Sequence, residues 1–222
     1  MNPARMAVLA RVAPFATYLA LLVIESAVSA WMPEWDTRWF YPLKTLLVGG
    51  MLAAFWRQYS ELHEFRFCLY YLVLSVAFGL SVFALWVGID APWAMLSGES
   101  KGYDPRVDGQ IDWVLAGIRL AGAALVVPLM EELFWRSLVM RWIDQENFLA
   151  RHPAAISLRA VLISSVVFGF EHQLWLAGIL AGLAYAWLYR YTRHLSYAII
   201  AHGVTNGMLG AWVLATGQWR YW

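Results

Sequence analysis

Residues 128–141 read PLMEELFWRSLVMR, and the fold turns on this stretch. It sets Glu131, Glu132 and Arg136 in a run otherwise apolar enough to sit in a lipid bilayer. An ionisable side chain at membrane depth costs roughly 3 kcal/mol on insertion scales, so such groups face a cavity or one another and mark function. On a helix, Glu132 and Arg136 form an i,i+4 pair with the acid on the N-terminal side, the favourable orientation. Glu131 lies one residue round, about 100° away, so Arg136 cannot hold both carboxylates equally. Glu131 is the carboxylate left over for chemistry.

The rest of the chain supplies the membrane setting. Of its 222 residues 61% are hydrophobic and 14% charged, whereas soluble domains carry roughly 25% charged residues. At about 20 apolar residues per span, helices are expected at 12–31, 40–56, 67–89, 111–142, 157–173, 175–191 and 195–217. The fold class is therefore all-α, a polytopic transmembrane bundle of seven to eight helices around a polar intramembrane cavity. It forms one membrane domain over residues 1–222. The first apolar stretch runs about 20 residues without a small-residue cleavage site, and is taken as a spanning helix rather than a signal peptide. Pro128 should kink or break the long fourth helix, because proline removes a helix hydrogen bond.

Charge and composition exclude other classes. A net charge of +1 with scattered Lys and Arg gives no nucleic-acid surface. The single cysteine, Cys68, allows no intramolecular disulfide and suggests no cysteine metal site. With the N-terminus inside, Arg5, Arg11, Arg57, Arg66, Arg141, Arg151, Arg159, Arg190 and Arg193 fall on the inner side. Only Arg38, Lys101, Arg106 and Arg220 fall outside, a bias that predicts a cytoplasmic N-terminus. Lys44 and Arg119, near span ends, are expected to snorkel to the interface. Tryptophans such as Trp31, Trp39, Trp56, Trp93, Trp142 and Trp219 suit interfacial belts. Residues 57–67, RQYSELHEFRF, should form a solvated or interfacial turn, and His63–Glu64 there lacks the second histidine of HExxH. Residues 91–110, rich in Gly, Pro and Asp, should form an outer loop.

Two later spans carry histidines. FGFEH puts Phe168 and His172 at i,i+4, and HGVTN puts His202 and Asn206 on one helical face. Glu131, His172, His202 and Asn206 thus come from three successive hydrophobic regions. A carboxylate and a neighbouring imidazole can share the proton of a bound water. The amide of Asn206 and the imidazole of His202 can stabilise the oxyanion formed when that water attacks a carbonyl. Those are the parts of a metal-free amide hydrolysis. The same atoms allow a zinc alternative, in which Glu131, His172 and His202 form a His₂Glu set with an open position for water. The later histidines have no short metal-ligand spacing, which favours the metal-free version and no cofactor. A proton-coupled transporter or a non-catalytic scaffold would use the same buried polar groups differently.

In order and placement, EELFWR, FGFEH and HGVTN resemble the EExxxR, FxxxH and HxxxN motifs of the CPBP family. These are the CAAX-protease and bacteriocin-processing intramembrane proteases that include the Rce1-type endopeptidases. The resemblance covers residues 111–217; residues 1–110 carry no matched motif. VVPLMEELFWRSLVMRW looks most like the bacterial CAAX protease-related proteins that accompany exosortase systems. The resemblance implies an intramembrane endopeptidase in a bacterial cell membrane, acting on a membrane-associated peptide. It implies that Glu131 and His172 activate water, that His202 and Asn206 stabilise the transition state, and that Glu132 and Arg136 support them. Trp135 and Ser137 depart from the family's usual Phe-Arg-Gly wording and put close helix packing there in doubt. Straight spans would leave Glu131, His172 and His202 at different depths, so the fifth helix is expected to be short or tilted, or the fourth to break near Pro128.

Overall fold

The computed structural model describes residues 2–89, 91–96 and 102–222. Lys101, counted above on the outer side, and the 97–101 part of the expected outer loop lie outside the described residues. Seven long helices are present among the described residues, where the hydrophobic runs place them. They are α1 (Pro3–Trp31), α2 (Phe40–Ala54), α3 (Leu69–Gly88), α4 (Trp113–Trp142), α5 (Leu158–Phe170), α6 (Trp175–Thr192) and α7 (Leu195–Thr216). Four of them, α1, α3, α4 and α7, are long and apolar enough to cross a membrane. Of the other three, α6 fills its expected span with 18 residues, and α2 and α5 fall short of theirs. In particular α2 has 15 residues and α5 only 13, against the roughly 20 a straight crossing needs. Outward-facing side chains such as Val23, Leu46 and Leu125 are largely exposed, as a lipid-facing surface requires.

Helix ends are set locally. Asn2 caps α1 by accepting from the Ala4 amide, and Asp112 caps α4 by accepting from Val114 and Leu115. Ser157 caps α5, and Arg193 and Gly217, both left-handed, close α6 and α7. One departure from an all-helical chain is a two-residue antiparallel pairing of Arg106–Val107 with Gln110–Ile111 around Asp108–Gly109, both at positive φ.

Pro128 does not break α4. The helix runs unbroken through Trp142, with two wider π-type segments, Gly122–Val126 and Leu133–Val139, on either side of the proline. The Val127 amide already bonds in the i→i+5 register, to Gly122. Pro128, next in that register, has no N–H to offer Ala123, so the helix continues and one carbonyl is released.

Close approach to α4 and between α5 and α6 relies on glycine. A Cβ on Gly203 of α7 would lie 2.8 Å from the Ala124 carbonyl oxygen, and one on Gly178 of α6 would lie 2.9 Å from Gly169 Cα of α5. Small residues at helix crossings replace the hydrophobic driving force that is missing in lipid.

Of the charges expected to snorkel or to be solvated, Lys44 is buried and Glu61 and Arg119 are half-buried, whereas Arg57, Glu64 and Arg66 of the 57–67 turn are exposed as expected. Lys44 turns inward, 2% exposed, and pairs with Glu25 at 2.5 Å. Arg119, half-buried, rests 4.2 Å above the Tyr41 ring. In the 57–67 turn, Tyr59 is buried and donates to the Ala10 carbonyl, while His63 meets only the Trp56 ring edge among described ring contacts. Glu61, in the one-turn helix Ser60–His63, accepts from Arg11 at 2.6 Å and from the Ser137 hydroxyl, with Arg141 at 3.6 Å. Arg11 also donates to Ser137 at 2.8 Å. Three stretches far apart in sequence meet here because a buried guanidinium needs an acid.

Burial alone would raise the Glu61 carboxyl, but the charge of Arg11 and the hydrogen bonds from Arg11 and Ser137 outweigh it and hold the group below the usual carboxylate range. The resulting stabilisation is present above the unfolded value of about 4.3 and is lost as pH falls through the lower folded value. Glu61→Gln is expected to cost about 3 kcal/mol at neutral pH. Thermal unfolding in detergent from pH 7 to pH 3 checks this: the wild-type advantage should shrink once pH drops below about 4.

Candidate active site

The site is built on α4, where the two glutamates divide their work. Glu132 is fully buried, and its carboxylate takes Arg136 Nε at 3.1 Å on one oxygen and His202 Nδ1 at 2.9 Å on the other. The i,i+4 pair read from the sequence is thus present, with a histidine from α7 added to it. Arg136 is held from its other sides. Its guanidinium sits 4.3 Å above the Phe168 ring, and Nη2 donates to the Gly182 carbonyl at 3.3 Å.

Because a carboxylate can only accept, the Nδ1–H of His202 points at Glu132 and its Nε2 faces the opposite way. Nε2 there meets Glu131, whose Oε2 lies 3.8 Å away. That buried oxygen has no hydrogen-bond partner among the described residues. The His202 ring is fixed flat against Tyr185 at 4.8 Å, and the Tyr185 hydroxyl donates to Thr205 at 2.7 Å.

His172 reaches the site from the turn after α5. The expected helix to residue 173 ends at Phe170, and His172 follows it, its amide bonded to Gly169. Its Nδ1 donates to the Phe168 carbonyl at 2.9 Å, which leaves the Nε2 lone pair free. Its ring packs against Phe168 at 4.8 Å and edge-on to Trp86 at 5.2 Å. The short α5 reconciles the depths that straight spans would separate.

Asn206 is placed by the released carbonyl of α4. Its side-chain Nδ2 donates to Ala123 O at 2.9 Å, the acceptor that Pro128 cannot serve. One amide hydrogen is spent in this way and the other remains available.

Glu131, His172, His202 and Asn206 all line one cavity of about 210 Å³. Glu132 and Arg136 stand behind its wall. Among the described residues, no three His, Cys, Asp or Glu side chains are grouped to hold a metal ion, the set Glu131, His172 and His202 included. The two departures at Trp135 and Ser137 have partners. Trp135 is buried and its indole donates to Glu171 at 2.9 Å, while Ser137 joins the Arg11–Glu61 network.

Sequence reasoning did not single out Tyr185, Glu61 or Glu171. Tyr185 had no signal, being one aromatic in an apolar helix. Glu171 lay inside FGFEH, and its adjacency to His172 was the only hint.

The geometry separates the glutamates by stability. Replacing Glu132 by Gln strands the buried Arg136 and is expected to cost about 3–5 kcal/mol. Glu131→Gln removes a carboxylate with an unpaired buried oxygen and should leave stability unchanged or improved. Thermal unfolding of both variants in detergent at pH 7 checks this order; equal losses would contradict it.

Comparison with curated proteins and with solved structures gives no match to the chain. The family comparison does. Residues 113–208, which hold the glutamate pair, His172, His202 and Asn206, match the family described as type II CAAX prenyl endopeptidase Rce1-like.

Proposed function

We propose that this chain is an intramembrane endopeptidase that hydrolyses a peptide bond of a membrane-associated substrate with an activated water and no metal. The observation that carries the proposal is the convergence of an unpaired carboxylate, two imidazoles with free Nε2 atoms and a partly free amide on one small cavity. The family suggests a CAAX-type intramembrane protease, a hydrolase acting at the bilayer.

In this mechanism a water sits between Glu131 and His172. Glu131 takes one of its protons as the oxygen attacks the scissile carbonyl carbon, and His172 Nε2 orients the other. The carbonyl electrons move onto oxygen, where the free N–H of Asn206 donates to the new oxyanion. The proton on Glu131 passes to His202 Nε2, only 3.8 Å away. The imidazolium so formed is balanced by Glu132 through Nδ1, in the way a triad aspartate serves its histidine. It adds a second donor towards the oxyanion. Collapse of the tetrahedral species breaks the C–N bond, and the proton leaves with the amine. Glu132 and Arg136 are positioning residues, since they act on the reacting atoms through His202.

Support for substrate delivery from the bilayer is the set of four helices apolar enough to span it, with the cavity between helices. The N-terminus is assigned to the cytoplasmic side by the charge bias of the connections.

The deciding experiment is cleavage of a prenylated, membrane-anchored peptide by purified protein in nanodiscs. Glu131→Gln and His172→Ala should each lower turnover at least 10³-fold, in keeping with loss of a general base, and a chelator should leave the wild type unaffected. Cleavage retained by a folded Glu131→Gln variant would refute the base assignment. Activity lost with chelator and restored by zinc would refute the metal-free route.

A further inference from the structure

Away from the hydrolytic cavity, where α6 ends, a second space of about 580 Å³ opens. Arg190, Tyr191, Arg193 and His194 wall it on one side, and Tyr71 of α3 and Ala154 of the connection before α5 complete it. No acid is among its described walls. The side chains of Arg190 and Arg193 form no ion pair or hydrogen bond among the described residues, and the Nε of Arg190 is buried without an acceptor.

Basic residues at a helix C-terminus commonly serve its last carbonyls. Here those are already served. Thr192 donates its hydroxyl to the Leu188 carbonyl at 2.8 Å, and the Arg193 amide donates to Tyr189 at 2.8 Å. The turn before α3 adds no net charge, since Glu64 and Arg66 act on His194 with opposite sign. The two guanidinia therefore lack an anion that the chain does not supply. A guanidinium fork takes phosphate oxygens in pairs.

The surroundings say which phosphate. Tyr191 stacks on Trp187 at 4.9 Å, Trp187 stacks on Phe78 of α3 at 5.1 Å, and Tyr191 and Trp187 are both exposed. Phe78 lies seven residues beyond Tyr71 on a helix apolar enough to cross the bilayer, about 10 Å deeper at 1.5 Å per residue. An aromatic rib thus leads from the charged space to the depth of the acyl chains. Free phosphate would use the cations and leave the rib without an occupant.

We propose that Arg190 and Arg193 bind the phosphate of an anionic membrane phospholipid, with an acyl chain laid along Tyr191, Trp187 and Phe78. Basic pockets between membrane helices on the cytoplasmic side suit such headgroups, and the charge bias of the connections puts the end of α6 on that side. The site is independent of the peptidase assignment.

The test is native mass spectrometry of the full chain in detergent, titrated with phosphatidylglycerol or with phosphatidylcholine of the same acyl chains. Phosphatidylglycerol should bind roughly 10- to 100-fold more tightly, the span expected for hydrogen bonds between charged groups. Arg190→Gln combined with Arg193→Gln should abolish that preference, and the matching pair of lysine substitutions should keep part of it. Arg193 is exposed, so Arg193→Gln alone leaves the fold intact and should lower the preference several-fold. Trp187→Ala should weaken both lipids by a similar factor. Replacing Arg57 and Arg159, exposed arginines assigned to the same face, by glutamine should change nothing. Equal binding of the two lipids would overturn the site, as would a preference untouched by Arg193→Gln or one lost equally on removing Arg57 and Arg159. Displacement of phosphatidylglycerol by millimolar inorganic phosphate would overturn the lipid assignment, since the cations would then serve a free anion.

Discussion

The centre of this protein depends on a single buried carboxylate. Glu132 faces a cation from its own helix and an imidazole from α7, and Arg136 has no other ion pair among the described residues. Removing charge from water costs several kcal/mol per ion, so a group of this kind is stable only beside partners that offset its charge. Here one oxygen is committed to Arg136 and the other to His202. The consequence for the next residue is immediate. With Glu132 paired to Arg136 and His202, Glu131 faces the cavity, and the His202 ring is held in the orientation that turns Nε2 towards it.

The same logic of satisfied polar groups reaches outwards. Pro128 withdraws a donor from the backbone of α4, and the vacant carbonyl is filled by Asn206 from α7. The two π-type segments let α4 carry that proline without a break and bring Glu131 and Glu132 between them. Arg11 is drawn inwards from α1 because Glu61 and Ser137 together can receive it. Trp135, a bulky buried ring, is accommodated because its one polar atom reaches Glu171. Each case is a local irregularity matched by a partner from elsewhere in the chain.

What could be seen in the sequence divides along the same line. Neighbours on one helix are fixed by spacing, so the Glu132–Arg136 pair and the shared face of His202 and Asn206 were legible, as were the positions of all seven helices from their apolar runs. Partners across helices have no spacing to betray them. Lys44 seemed a snorkelling residue because its match, Glu25, sits on another helix, and Glu61 seemed solvated because its cations lie 50 and 80 residues away. The end of α5 was placed too late for a different reason. In FGFEHQLW the polar residues Glu171, His172 and Gln173 lie between apolar ones, and composition alone does not separate a turn there from a polar stretch of helix. The unbroken course of α4 through Pro128 was hidden too, since a wide turn leaves no trace in residue type.

The brevity of α5 has an effect on the lipid itself. Thirteen residues rise about 20 Å, some 10 Å less than an ordinary hydrocarbon core. The outward side chains of α5, including Leu158, Leu162, Val166 and Phe170, are apolar and exposed, a surface suited to acyl chains. A bilayer accommodates such hydrophobic mismatch by thinning beside the short element. A dimple of that kind would lie next to the turn that carries His172 and would bring the aqueous phase nearest to the cavity lined by Glu131 and His172.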